Sequence, residues 1–109
     1  CPDPSANPYL LLAVCLAAGL DGIRNEILPP DSIDKNIFEM TAKERKENGI
    51  ESLPNNLLEA VCEMEKDEFV RGVLGEHFSE RYIHAKKEEW AQYSRHVSSW
   101  EVEQYLYRI

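Results

Sequence analysis

The side chains able to do chemistry in this 109-residue chain are three histidines, twenty carboxylates and three cysteines. His77 and His84 stand seven residues apart, which on a helix places them on one face, two turns from each other. Helical zinc pairs stand at i, i+4. With Glu80 between them, the two histidines would make at most a weak metal site, and pairing of Glu80 with His84 on a helix surface is the commoner use of this spacing. His96 falls where a helix would end, a place that suits a cation at the negative end of the macrodipole. Carboxylates cluster at Glu63, Glu65, Asp67 and Glu68, at Glu76 and Glu80, and at Glu88 and Glu89. Paired carboxylates can move protons or hold magnesium, but here they alternate with Lys and Arg, as on a solvated charged face.

Cys1, Cys15 and Cys62 are odd in number and widely spaced. They form no CxxC pair, which removes the usual thiolate zinc and thioredoxin-type motifs. Cys15 and Cys62 fall on apolar helical faces, where a buried, inert thiol in a reducing compartment is expected. Five glycines make neither GxGxxG nor GxxxxGK[ST], so no phosphate loop is present in the sequence. No Ser-His-Asp or Cys-His pattern stands out. Read from its residues alone, the chain carries no recognisable active site.

The elements that would position any site are helices. Asn7-Pro8 reads as a helix start, with Asn capping and Pro at the first helical position. Tyr9 to Ala18 follows, apolar on every side, so protein is expected to enclose it. It is about half the length needed to span a bilayer, and it lacks the flanks of a signal peptide. The helix weakens or ends at Leu20-Asp21-Gly22-Ile23, with Pro29-Pro30 as the stop. Residues 29–40 read as an irregular connection. Thr41-Ala42-Lys43-Glu44 is a capping box that opens a short charged helix, closed by Asn48-Gly49.

Asn56-Leu57-Leu58-Glu59 opens another helix, with Leu57, Leu58, Val61 and Met64 in its apolar stripe. Asp67 to Leu74 is a further short piece, broken at Gly75. The longest pattern runs from Glu76 to about His96, with Phe78, Tyr82, Ala85 and Tyr93 on one stripe and Ile83, Trp90 and Val97 on the next. Ser98-Ser99-Trp100-Glu101 is a third capping box, after Thr41–Glu44 and the capping-box-like Asn56–Glu59. It precedes the i, i+3, i+4, i+7 stripe of Val102, Tyr105, Leu106 and Ile109. A helix that short is marginal by itself, so docking must support it. Period-2 alternation is absent, and the chain reads as all-α.

Hydrophobic residues at 43% and charged residues at 29% are the balance of a folded domain rather than a disordered one. The net charge of −8 speaks against nucleic acid as a partner and against an anionic membrane surface. The chain opens at Cys1 without a methionine, as expected of a piece of a longer sequence.

Three phrases carry a family resemblance. The first is Pro2-Asp3-Pro4-Ser5-Ala6-Asn7-Pro8-Tyr9-Leu10 with Ala17-Ala18-Gly19-Leu20-Asp21-Gly22-Ile23. The second is Ile33-Asp34-Lys35-Asn36-Ile37-Phe38-Glu39-Met40. The third is Leu74-Gly75-Glu76-His77-Phe78 with Lys86-Lys87-Glu88-Glu89-Trp90 and Trp100-Glu101-Val102-Glu103-Gln104-Tyr105. In order and spacing they resemble the C-terminal end of bacterial type I glutamine synthetase, over essentially the whole chain. The resemblance implies that residues 1–109 are the C-terminal helical portion of that catalytic domain, with 98–109 as a terminal docking helix. It implies a cytoplasmic parent enzyme that joins ammonia to glutamate through a γ-glutamyl phosphate, using ATP and magnesium or manganese.

In the family, the carboxylate, His and Arg groups of the site lie upstream, the last being a Glu-x-Arg just before the position of Cys1. No catalytic, metal or cofactor residue is therefore carried over. Asp3 and Asn7 are expected to shape the strand-to-helix junction behind the site. Phe38 stands where one branch of the family has a Tyr that accepts AMP. Without a phenolic oxygen that modification is lost, which, with Lys46-Glu47-Asn48-Gly49-Ile50, resembles the branch controlled by feedback and regulatory proteins. Family members form dodecamers of two stacked hexamers. Trp100, Val102, Tyr105, Leu106 and Ile109 are thereby expected to form an assembly surface, with the local alternative that this stripe folds back on the helix at 76–96. A free-standing acidic helical protein-interaction module is the other functional reading.

Overall fold

A computed structural model describes residues 3–106 and 108. The described residues contain helices and connections and no strand, as the absence of alternation predicts. No described helix is long and apolar enough to cross a membrane. The chain divides into two units, Cys1–Pro54 and Asn55–Ile109.

In the first unit, α1 spans Pro8–Arg24. Asn7 caps it, its side-chain oxygen accepting from the backbone N–H of Tyr9 at 3.0 Å and of Leu10 at 3.3 Å. Asp3 likewise closes the preceding turn by accepting from the Ser5 backbone N–H at 2.8 Å. The helix runs past Gly22 and stops in a Schellman-type turn, in which the Ile27 N–H reaches the Gly22 carbonyl at 2.9 Å. Glu26 holds the left-handed position of that turn, φ 52°, where helices usually place Gly. A single 3-10 turn, Ile37–Glu39, interrupts the irregular connection. Helix α2, Ala42–Glu47, opens with the predicted capping box at Thr41 and Glu44. It closes with the same turn as α1, Ile50 N–H to Arg45 carbonyl at 2.8 Å, this time with Gly49 at φ 65°.

Enclosure of the apolar α1 does not occur among the described residues of its unit. None of its residues is buried, and Tyr9, Leu12, Leu16 and Ile23 are exposed. Only a narrow stripe through Leu10, Leu11, Val14 and Ala17 is half-covered. An all-apolar helix needs neighbours on several sides, and a unit of this length does not supply them.

In the second unit, α3 (Leu57–Lys66), α4 (Glu68–Leu74) and α5 (Glu76–Tyr93) pack on one another. Asp67 ends α3 and caps α4, its side chain accepting from the Val70 N–H at 3.0 Å. Gly75, φ 84° and ψ 140°, makes the reversal from α4 into α5. Only Gly occupies that region of backbone space comfortably.

Val61, Ile83 and Ser79 are the buried residues of the unit. Ser79 is fully buried, with its hydroxyl donating to the Arg71 carbonyl at 3.4 Å, so a small side chain lets α5 approach α4. The buried stripe of α5 is therefore Ser79 and Ile83, with Tyr82, Trp90 and Ala91 half-covered. It is narrower than the two apolar stripes of the sequence predict. Ala85, Tyr93 and Val97 point to solvent, because α3 and α4 cover a single face. Helix α5 ends at Tyr93, and turns occupy the three residues to His96.

The last helix, α6, spans Ser99–Tyr105 behind the predicted capping box of Ser98 and Glu101. Two compact units of about half this mass would together expose roughly 7,500 Å², whereas the chain exposes 9872 Å².

Candidate functional site

The tail is the most developed of the candidate surfaces. Ser98 and Glu101 lock the first turn of α6. The Glu101 carboxylate accepts from the Ser98 N–H and hydroxyl, both at 2.8 Å, while the Ser98 oxygen accepts from the Glu101 N–H at 3.2 Å. Those bonds, the backbone one first, hold the Glu101 carboxyl below its ordinary value of 4.5. From this anchored start, Trp100 and Tyr105 meet edge to face, ring centroids 6.1 Å apart. Trp100, Val102, Tyr105 and Leu106 are 60%, 41%, 59% and 58% exposed. These four side chains thus stand open to solvent. Ile109, the last of the predicted assembly residues, lies outside the described residues.

Phe38 sits on the 3-10 turn and is 94% exposed. Asn36 begins that turn by accepting from the Phe38 N–H at 3.2 Å. The side chain presented here is a bare ring with no nucleophile.

The titratable clusters disperse. His84 approaches Glu88 at 3.7 Å rather than Glu80, both groups exposed. Lys66 meets Glu63 at 2.7 Å and Lys86 meets Glu89 at 2.6 Å, contacts that raise the pKa of each ammonium. Arg71 joins the Glu76 carboxylate. Among the described residues, no three His, Cys, Asp or Glu side chains gather into a group able to hold a metal ion. Cys15 is exposed and Cys62 half-buried, so the apolar face of α1 does not hide its thiol.

Two features escaped the sequence reading. Lys87 of α5 bonds Glu65 of α3 at 2.7 Å, a pairing no local spacing announces. The second is a cleft of about 380 Å³ lined by Asn55, Asn56, Leu57, Glu89, Trp90 and Tyr93. The i, i+3 spacing of Trp90 and Tyr93 was its only sequence signal.

A family model described as the glutamine synthetase catalytic domain matches residues 1–105. Among curated proteins, the glutamine synthetase of Clostridium saccharobutylicum is 54% identical over 106 residues, covering 97% of this chain and 24% of that protein. The glutamine synthetases of Thermotoga maritima and Methanosarcina mazei are each 49% identical over the same coverage. The chain spans about a quarter of the length of these relatives.

Proposed function

The chain belongs to the glutamine synthetase family, and from that premise we propose that it serves an ATP-dependent ligase that makes glutamine from glutamate and ammonia. Its own part is scaffold and subunit-assembly surface, as the C-terminal helical portion of the catalytic domain. The parent enzyme uses ATP with magnesium or manganese, works in the cytoplasm, and assembles with copies of itself. Metals in such an enzyme neutralise phosphoryl charge while ammonia attacks. The described residues do not fit that group, because they gather no metal-binding cluster. No step of the reaction is therefore assigned to a side chain of this chain.

One observation carries the assembly role: a helix locked at its start by a capping box holds Trp100, Val102, Tyr105 and Leu106 open to water. A seven-residue helix is marginal in isolation, and exposed Trp, Tyr and Leu side chains favour burial at about 25 cal/mol per Å². Trp100, Val102, Tyr105, Leu106 and Ile109 form this docking helix against another subunit. Phe38 marks the branch without adenylylation, leaving feedback ligands and regulatory proteins as the means of control.

The test is sedimentation of the parent-length enzyme carrying Tyr105→Asp and Leu106→Asp. Dissociation into smaller rings or subunits, with folding retained, is expected. An unchanged sedimentation coefficient overturns the assembly role. The 109-residue chain alone, given ATP, metal, glutamate and ammonia, is expected to form no glutamine.

A further inference from the structure

We propose that the cleft between the start of α3 and the last turns of α5 binds a guanidinium cation, carried by free arginine or by an arginine side chain. The argument begins with the hydrogen bonds already made there. Asn55 donates to the Glu59 carboxylate from its backbone N–H at 2.8 Å and from its side-chain Nδ2 at 3.2 Å. Asn56 donates from Nδ2 to the other oxygen of Glu59 at 2.9 Å, and its own Oδ1 accepts from the Glu59 N–H at 3.0 Å. The amide donors of the cleft therefore turn towards Glu59.

What remains is an acceptor set. Asn55 Oδ1 accepts nothing among the described residues, and neither does Glu89 Oε1, since Lys86 bonds Oε2 at 2.6 Å. Glu89 is the charged residue of the cleft's lining, and the Glu59 carboxylate is held just behind it by the two asparagines. The aromatic walls complete the preference. Trp90 and Tyr93 have ring centroids 5.7 Å apart and planes tilted by 41°. Both rings line the same cleft as Asn55 and Glu89.

A flat cation with several N–H donors suits this combination. Its face meets aromatic rings, and its edge meets a carboxylate and an amide oxygen. An ammonium would satisfy the charge but not the flat contact. A neutral planar group would satisfy the contact but gain little from Glu89. The cleft, about 380 Å³, has the size of a small-ligand site rather than of a peptide groove.

The experiment is a titration of the isotope-labelled 109-residue chain with L-arginine, followed by NMR. The Trp90 indole N–H and the amides of Asn55 and Asn56 are expected to shift saturably while the Trp100 indole stays put. L-citrulline, the neutral isostere, is expected to bind at least about tenfold more weakly. Glu89→Gln and Tyr93→Leu, both at exposed positions, are each expected to weaken arginine binding several-fold, with the remaining resonances unmoved. Arginine blocked at both termini tells the sources apart. Equal binding assigns an arginine side chain of a protein, and loss of binding assigns the free amino acid. Equal response to citrulline and arginine, parallel shifts of both indoles, or no saturable shift overturns the proposal.

Discussion

Lys87 of α5 places its ammonium 2.7 Å from the carboxylate of Glu65 on α3, across twenty-two residues of sequence. Both side chains are close to half exposed, 41% and 49%, so water and salt screen the pair. A contact of this kind aligns two helices without contributing much to their stability. Val61 of α3 and Ile83 of α5, the buried apolar residues of the same helix packing, do the opposite.

Lys87→Met is therefore expected to change unfolding free energy by less than about 1 kcal/mol. Ile83→Ala should remove about 2–4 kcal/mol. With so few buried residues in the unit, that loss is expected to abolish the cooperative transition. Urea denaturation followed by circular dichroism separates the two variants. Similar losses from both would contradict the ranking.

Helices α1 and α2 end in the same turn with different residues at its left-handed position, Glu26 at φ 52° and Gly49 at φ 65°. A side chain in that region costs about 1 kcal/mol relative to Gly. Glu26→Gly should accordingly stabilise the end of α1, and Gly49→Ala should loosen the end of α2 by a similar amount. Amide hydrogen exchange at Ile27 and Ile50, whose N–H groups close the two turns, reads each effect separately. Faster exchange at Ile27 in Glu26→Gly would refute the strain.

Three cap carboxylates sit below the ordinary glutamate value of 4.5. Glu44 is lowered by the Thr41 hydroxyl and then by its backbone N–H. Glu59 is lowered by Asn55, backbone first, with a further contribution from the Asn56 side chain. Glu101 is lowered by the Ser98 backbone and then by its hydroxyl. A carboxyl depressed in the folded state stabilises it above the unfolded pKa, and that contribution disappears as pH falls through the folded pKa. Helix content should hold steady from neutral pH down to about 4.5 and then decline. The triple variant Glu44→Gln, Glu59→Gln, Glu101→Gln, which keeps a capping side chain but no titration, should show a weaker dependence in that window. Far-UV circular dichroism against pH checks this; identical profiles for the two proteins would sink it.

Helix starts were legible in the chain because they depend on groups within about four residues of one another. Asn7, Thr41, Asn56 and Ser98 all cap where their spacing implies, whereas α5 stops at Tyr93, short of the expected His96. The absence of strands was equally local, since alternation is a property of neighbours. The three phrases that marked the family were legible for a different reason, as a match of order and spacing. Burial was legible only in part: Val61 and Ile83 lie on the expected stripes and are buried. Ser79, small and polar, proved more buried than Phe78 or Tyr93, because the approach of α4 and α5 selects which stripe is covered. The all-apolar α1 announced a need for neighbours without naming them, and its exposure follows from what else folds beside it. The Lys87–Glu65 pair, the acceptor-lined cleft at Trp90 and the open stripe of α6 each join residues by packing or leave them bare. Tertiary structure alone decides such relations, since no spacing along the chain encodes which faces meet.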